Sequence, residues 1–275
     1  MADNRPIDLS VPSAARMYDW LLGGHFNYEA DRLACEELLR YAPTTKALAR
    51  NNRWFLERVV RALAEEHGIK QFVDFGSGLP TQNNVHQVAQ AVHRDARVVY
   101  VDNDPVVLAH GRSILDSHDG NATIIEGDMT HPEAVFESAE FGRLIDLKER
   151  TAALFISVLH CVKDRDDPAG IVRRVVSRLK PGSFVVICHL VSDDVGLRDQ
   201  VTDLMRKQTD DHWGRVREKW EVDRFFENLT LHRPGLVDVT DWRPDSDLRQ
   251  HDRSVEWMDY GGMAEVPPRS ARTDP

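Results

Sequence analysis

The sequence predicts an α/β fold in which helices cover both faces of a mostly parallel sheet. From about residue 69 onward, short apolar runs alternate with segments that repeat apolar residues every three or four positions. Several of these runs are followed directly by glycine, aspartate or histidine, as expected where a parallel sheet binds a ligand at its strand ends. A chain of 275 residues with a hydrophobic fraction of 41% can also bury one large core without disulfides or metals.

The N-terminal part is predicted to be entirely helical. Three helical stretches are separated by a glycine pair and by Pro43 and are closed by Gly68; they cover residues 13–24, 29–41 and about 45–67. Residues 13–68 are therefore assigned to a helical extension, which we expect to lie over the strand ends as a lid. Residues 1–12 are polar, contain two prolines and are predicted to be disordered.

Five buried strands are predicted in the next part of the chain, because each run is apolar and bounded by turn residues. They are Gln71–Phe75, Val98–Val101, Ala122–Glu126, Thr151–Leu159 and Ser183–Leu190. The helices predicted between them cover residues 82–94, 105–116, 131–138 and 168–179. Strands that alternate with helices in this way pair in parallel.

The C-terminal part is predicted to add one charged helical segment and two strands. The helical segment runs from residue 196 to about 228, and the strands are Leu236–Trp242 and Ser254–Tyr260. The sheet domain is therefore placed at residues 69–262. Residues 263–275 are predicted to form a disordered tail.

Composition and charge argue against several classes of protein. The formal net charge of −10 is opposite to that of a general nucleic-acid binder. No apolar run approaches the ~18–20 residues of a membrane span, and the first residues lack the apolar segment of a secretory signal. Cys35, Cys161 and Cys188 form neither a disulfide framework nor a zinc pair, and no histidines have metal-ligand spacing. We therefore expect no bound metal, no membrane association and a cytoplasmic location.

The first predicted strand ends in a glycine turn, Asp74-Phe75-Gly76-Ser77-Gly78. Two glycines allow a tight turn and close approach of a ligand to the backbone, although a glycine turn after a strand often has no role in ligand binding. A dinucleotide fingerprint requires a third glycine where this chain has Thr81, and Pro80 removes a backbone donor. An acidic residue two positions before the first glycine instead predicts that Asp74 lies beside a cationic group of the ligand.

The second and third strands end in carboxylates. Asp102 is placed to accept both ribose hydroxyls of an adenosine, with Asn103 beside it. Asp104 precedes a proline at the first position of a helix, so we interpret it as the helix N-cap. Asp128 is placed to accept a hydrogen bond from an adenine amino group and Met129 to pack on the purine ring. The alternative for Asp128 is a loop aspartate that caps the following helix.

The fourth strand ends in Ser157-Val158-Leu159-His160, which would face the reacting end of a ligand that lies over the first strand. His160 is a candidate base or hydrogen-bond donor, and the alternative is a histidine packed at a strand end. We place Ser157 at the cofactor. Tyr18, in the helical extension, is a candidate catalytic residue of the lid. Arg53, near the start of the third predicted helix, could contact a carboxylate of the ligand, but we favour a structural role for it.

Together these strand ends match the plan of the seven-stranded methyltransferases that use S-adenosylmethionine. The chain resembles one bacterial family in particular, the S-adenosyl methyltransferases once catalogued as a domain of unknown function. The resemblance covers roughly residues 10–262 and is carried by the runs ARMYDWLLGG, FVDFGSGLPT, VVYVDNDPVVLAH and VLH. It implies a Rossmann-like class I methyltransferase sheet and S-adenosyl-L-methionine as the cofactor. The matching positions are Asp74, Gly76, Ser77 and Gly78 for the cofactor loop, Asp102 for the ribose and Asp128 for the adenine.

The resulting prediction is a methyltransferase that acts on a small-molecule acceptor by in-line methyl transfer. No Asn-Pro-Pro-Tyr-type motif follows the fourth strand, and no cysteine is placed for covalent chemistry on RNA bases. Two alternatives remain open at this point. One is a non-catalytic domain that senses S-adenosylmethionine or its demethylated product, and the other is a nicotinamide-dependent oxidoreductase. The acceptor and the oligomeric state are not predicted.

Overall fold

The computed structural model describes residues 8–81, 83–115, 120–245 and 253–268. The helices in these ranges are α1 (Ala14–Leu21), α2 (Glu29–Tyr41), α3 (Thr45–Glu65), α4 (Val85–Val92), α5 (Pro105–Leu115), α6 (Pro132–Glu137), α7 (Ala139–Leu144), α8 (Pro168–Arg178), α9 (Val195–Gln208) and α10 (Lys219–Asp223). The strands are β1 (Gln71–Phe75), β2 (Arg97–Asp102), β3 (Ala122–Glu126), β4 (Ala152–Ile156), β5 (Phe184–Val191), β6 (Thr230–Leu231), β7 (Val237–Asp238) and β8 (Met258–Glu265).

The strands form one mixed sheet in the order β3-β2-β1-β4-β5-β8-β6, and β7 also pairs with β8. The first five strands are parallel, and β8 runs antiparallel to β5 over eight residue pairs. The order reverses at β1, with β2 on one side and β4 on the other, and an open sheet offers its ligand crevice at such a point. The predicted α/β fold with a central sheet of about seven strands is confirmed.

Strands β1, β4 and β5 are buried along their whole length, because helices cover both faces of the sheet. One apolar cluster packs α3, α4 and α5 on the face that carries Phe72, Leu154 and Val186. A second packs α6, α7 and α8 on the opposite face, which carries Val73 and Ile187. Alternate residues of each strand therefore belong to different halves of the core.

The helical extension is part of the same packed body. A third apolar cluster joins α1, α2 and the start of α3 to α9 and to two tryptophans, Trp213 and Trp257. Arg16 of α1 is 2% exposed and pairs at 3.1 Å with Asp31 of α2, which is fully buried. This ion pair and the apolar cluster fix α1 against α2. In the described ranges no helix is long and apolar enough to cross a membrane.

Some predicted boundaries were wrong, and β4 shows why. The run Thr151–Leu159 is continuous in hydrophobicity, but the strand ends at Ile156 because Ser157 adopts a left-handed φ of 55°. A short 3₁₀ turn over Leu159–Cys161 follows. The helical segment predicted from 196 to about 228 is likewise interrupted after α9 by a loop.

The C-terminal strands also differ from the prediction. In place of Leu236–Trp242 only β7 forms, and in place of Ser254–Tyr260 the strand β8 begins four residues later. Strand β8 continues to Glu265, so the prediction of a disordered tail over 263–275 was wrong for its first three residues. Met263 and Ala264 are fully buried against β5. The tail from residue 269 and the predicted disordered residues 1–7 lie outside the described residues; Pro12, which is described, is buried.

Candidate active site

A cavity of about 1120 Å³ lies at the carboxyl ends of β1 to β4, between these ends and helices α1, α3 and α9. The structure brings every predicted site residue to the lining of this one cavity: Tyr18, Asp74, Gly76, Ser77, Gly78, Asp102, Asn103, Asp128, Met129, Ser157 and His160. All of these residues except Tyr18, which lies on α1, stand at or after a strand end, and the parallel pairing of β1 to β4 brings these ends together.

The glycine turn after β1 is sterically required at its first glycine. Gly76 has a φ of +67°, and a Cβ added there would lie 2.1 Å from Cγ2 of Val158. Gly78 also has a positive φ, +65°, but a Cβ there would meet no atom within 4 Å. The turn is therefore packed against the chain after β4 at Gly76 and open at Gly78. The hydroxyl of Ser77, between them, is buried and has no hydrogen-bond partner.

Asp102, at the end of β2, ties two loops together. Its Oδ2 accepts a hydrogen bond from the Gly78 amide at 2.9 Å, and its Oδ1 accepts one from the Asp104 amide at 2.9 Å. The Asn103 amide also hydrogen-bonds to this carboxylate, which has about four lone-pair sites and so can still accept from a ligand donor. Burial raises the pKa of Asp102. Asp104 in turn accepts a hydrogen bond from the Val106 amide at 2.8 Å, as expected of a helix N-cap.

Asp74, at the end of β1, is a buried carboxyl near the positive charge of Arg53. Burial raises its pKa to about 7, the charge of Arg53 acts to lower it, and the neighbouring Asp102 raises it further. Arg53 projects from α3 into the lining of the cavity and donates to the carbonyl of Asn83 at 3.1 Å. The sequence favoured a structural role for Arg53, whereas the structure places its charge at the cavity wall.

The third strand end is more open. Asp128 is half exposed, and its Oδ1 accepts a hydrogen bond from the Thr130 amide at 2.8 Å. It does not cap α6, whose N-cap is His131 without a side-chain bond. Met129 packs towards the glycine turn, with its Cε 3.3 Å from the position a Cβ would take at Gly76.

His160 is buried beneath the cavity wall. Its ring lies 4.8 Å from the ring of Trp213, centre to centre, and its Nδ1 has no hydrogen-bond partner. Burial lowers the pKa of His160 to about 3, and the charge of Arg217 lowers it further. The imidazole is therefore neutral at physiological pH and is a weak base.

Arg217 organises the loop that carries His160, and sequence analysis missed it. This arginine is 2% exposed, and its guanidinium donates to the carbonyls of Leu159 at 3.1 Å and Val162 at 3.0 Å and to Nε2 of His189 at 2.7 Å. A buried guanidinium that meets the carbonyls of a turn fixes the turn. Nothing in the local sequence distinguishes Arg217 from the more exposed Arg215 and Arg224.

A chain of polar side chains crosses the core beside the end of β4. The Tyr18 hydroxyl donates to Oδ1 of Asn52 at 2.8 Å, and Nδ2 of Asn52 donates to the sulfur of Cys188 at 3.0 Å. The Ser157 hydroxyl donates to Oδ1 of Asp259 at 3.3 Å. Asn52 also hydrogen-bonds to Asp259.

Asp259 was missed by the sequence analysis. It lies on β8, is 2% exposed, and burial raises its pKa to about 7. An aspartate inside a predicted strand, Ser254–Tyr260, was the available signal.

The open parallel sheet, the glycine turn and the carboxylates at three successive strand ends define a class I methyltransferase that uses S-adenosyl-L-methionine. A family model described as S-adenosyl methyltransferase matches residues 1–267, and the chain belongs to that family. The resemblance inferred from the sequence is thus confirmed, as is S-adenosyl-L-methionine as the cofactor.

Two solved structures are similar over nearly the whole chain. A DUF574-family protein from Streptomyces avermitilis is 35% identical, with a TM-score of 0.86 and coverage of 95% of this chain and 100% of that one. A candidate methyltransferase from Thermobifida fusca is 36% identical, with a TM-score of 0.86 and coverage of 97% and 100%. The N-methyltransferase NodS from Bradyrhizobium japonicum, in complex with S-adenosyl-L-homocysteine, shares the fold at 14% identity and a TM-score of 0.50, with coverage of 92% and 99%. No curated protein matches the chain.

Proposed function

We propose that this methyltransferase acts on a small-molecule acceptor, and that the acceptor and the cofactor share the cavity under α1 and α3. The observation that carries the proposal is the single cavity itself. One side of it has the polar strand ends, and the other has an apolar wall that includes Leu48, Trp213 and Trp257. The cavity volume of about 1120 Å³ is close to the upper end of the range for small-molecule sites, which supports a small acceptor beside the cofactor.

The adenosine half of the cofactor is assigned to the ends of β2 and β3. Asp102 would accept the ribose hydroxyls with the lone pairs that its backbone amide contacts leave unused. Asp128 would accept the adenine amino group, and Met129 would pack on the purine ring. Asn103, which is exposed at the cavity, would border the ribose.

The amino-acid half is assigned to the ends of β1 and β4. Asp74 would receive the ammonium group and Arg53 the carboxylate, since the two opposite charges lie at the same wall. The open space beside Gly78 allows the ligand to approach the backbone there. Ser77, whose buried hydroxyl has no partner in the chain, offers one further contact, and Ser157 borders the reacting end.

The cofactor supplies a methyl group already activated by a cationic sulfur. The chain therefore has to align the acceptor with this methyl group for in-line displacement and exclude water. Tyr18 contributes by bonding to Asn52 and so joining α1 to α3 over the cavity. His160, neutral at physiological pH, is assigned to a hydrogen bond with the acceptor and not to proton removal.

Calorimetric titration with S-adenosyl-L-homocysteine and, separately, with NAD tests the cofactor assignment. We expect binding of the first and none of the second, and binding of NAD alone would overturn the assignment. Incubation with a whole bacterial extract, which holds metabolites and macromolecules, and methyl-labelled cofactor tests the acceptor class. A labelled product that passes a small-pore filter supports the proposal, and label confined to macromolecules contradicts it.

A further inference from the structure

Ser157 combines two unusual features at the point where the methyl group would be transferred. It is a non-glycine residue with a left-handed φ of 55°, a conformation that disfavours ordinary side chains. It lines the cavity, and its hydroxyl points to a carboxyl on another strand, Asp259 on β8. A strained residue that directs a hydroxyl at a buried acid indicates a function for the hydroxyl.

Asp259 is a buried carboxyl that is placed to accept a proton. Its Oδ2 is buried and has no hydrogen-bond partner, while its Oδ1 accepts the hydrogen bond from Ser157. The carboxyl is not part of the cavity lining, so a ligand would reach it through the Ser157 hydroxyl. A buried carboxyl with one oxygen that no donor satisfies destabilises the fold, which makes a purely structural role unfavourable.

The surroundings of Asp259 set the pH at which it can take a proton. Burial raises its pKa to about 7, the charge of Asp238 on β7 raises it further, and hydrogen bonds from Asn52 and Ser157 act against the rise. Tyr18 on α1 and Cys188 on β5 also lie close enough to feel its charge, and burial raises the pKa of both, so that they stay protonated.

We propose that Ser157 and Asp259 receive the proton that the methyl acceptor loses, and hence that the acceptor is a hydroxyl or an N–H group. This inference rests on the proposed function. The acceptor oxygen or nitrogen forms a bond to the methyl carbon with its own lone pair, and the carbon–sulfur bond breaks with both of its electrons going to sulfur. The acceptor passes its proton to Oγ of Ser157. Ser157 passes its own hydroxyl proton to Asp259, which becomes neutral as the positive charge on sulfur is lost.

The first test reads the carboxyl directly and needs no acceptor. The infrared difference spectrum between the wild type and Asp259→Asn is recorded from pH 5 to pH 9. We expect the absorption of a protonated carboxyl at low pH and its loss near pH 7. Absence of this absorption throughout the range would overturn the proposal, because an acid that is always ionised is not poised for the exchange. Unchanged binding of S-adenosyl-L-homocysteine shows that the variant is folded.

The second test follows methyl transfer to the whole bacterial extract. With the cofactor at saturation, so that its ammonium group keeps Asp74 ionised, the wild-type rate should rise with pH through about 7, because Asp259 must be ionised to take a proton. Asp259→Asn should lower the rate at least about 100-fold and remove this rise, and Ser157→Ala should lower the rate with the cofactor still bound. Wild-type rates in either variant would overturn the proposal. If the wild type labels nothing, the proposed function fails and this proposal fails with it, whereas a labelling wild type with equally active variants overturns this proposal alone.

Asp238→Asn is the matched control. It removes a charge that raises the pKa of Asp259 and touches no part of the cavity lining. We expect the same maximal rate with the rise displaced to lower pH. A purely structural role for Asp259 would leave the pH profile of this variant unchanged.

Discussion

Substitution of Gly76 by alanine separates a backbone effect from a packing effect in the cofactor turn. A left-handed φ, here +67°, costs an L-residue about 1–2 kcal/mol. The added methyl group would also lie 2.1 Å from Cγ2 and 2.9 Å from Cβ of Val158, and overpacking of this kind costs about 1–3 kcal/mol. We therefore expect Gly76→Ala to lower the free energy of unfolding by about 2–5 kcal/mol.

Gly78→Ala is the matched control, because its φ of +65° is nearly the same and a Cβ there would meet no atom within 4 Å. It should show only the backbone effect, about 1–2 kcal/mol. Its methyl group would project into the cavity, so we also expect weaker binding of S-adenosyl-L-homocysteine. Val158→Ala removes the atom at 2.1 Å and leaves the one at 2.9 Å, so in that background the cost of Gly76→Ala should fall by about 1 kcal/mol or more.

Urea unfolding of the four variants and the wild type, followed by circular dichroism, gives the free energies, and calorimetry gives the affinities. Equal costs for Gly76→Ala and Gly78→Ala would refute the packing argument. A full, unrelieved cost in the Val158→Ala background would refute it independently. The slope of the free energy with urea has to stay constant for the comparison to report on the folded state.

Three further predictions concern charged groups in the core and the cavity. Asp102→Ala should weaken binding of S-adenosyl-L-homocysteine by about 1–3 kcal/mol, measured calorimetrically, because the ribose hydroxyls lose their acceptor; unchanged affinity would mean that Asp102 does not hold the ribose. Asp31→Asn leaves the buried guanidinium of Arg16 without its counter-charge and should lower the free energy of unfolding by about 3–5 kcal/mol, and a loss below 1 kcal/mol in urea unfolding would contradict this. Asp74→Asn should be more stable than the wild type at pH 8 by about 2–4 kcal/mol, and the difference should vanish towards pH 4. The folded-state pKa of Asp74, about 7, exceeds the value of 3.8 in the unfolded chain, so the folded wild type binds the extra proton and loses stability as pH rises between these values; equal stabilities at pH 8 would disprove the burial argument.

The sequence was sufficient to predict the part of the cavity that we assign to the cofactor. Asp74 and Asp102 lie at the ends of β1 and β2, and Asp128 follows β3. The apolar runs make these strands recognisable, and parallel pairing brings their ends together. The helix N-cap at Asp104 was predictable for the same reason, because capping depends on two or three neighbouring residues.

The part of the cavity that we assign to the acceptor could not be predicted in this way. Asp259 reaches Ser157 only because β8 turns back antiparallel beside β5, and no local pattern encodes that return. Arg217 is buried because four partners from distant parts of the chain meet it, although arginine is ordinarily exposed. The boundary at Ile156 was missed because it is set by the backbone of Ser157 and not by hydrophobicity.

The position of β8 has a consequence for biosynthesis. Strand β5 is buried at all eight positions, and one of its two edges is covered by β8, which is synthesised much later. Until residue 258 has emerged, that edge presents unpaired amides and carbonyls to any neighbouring nascent chain. We expect prematurely terminated products that end between β5 and β8 to aggregate during translation, whereas full-length chains escape as soon as the final strand closes the sheet.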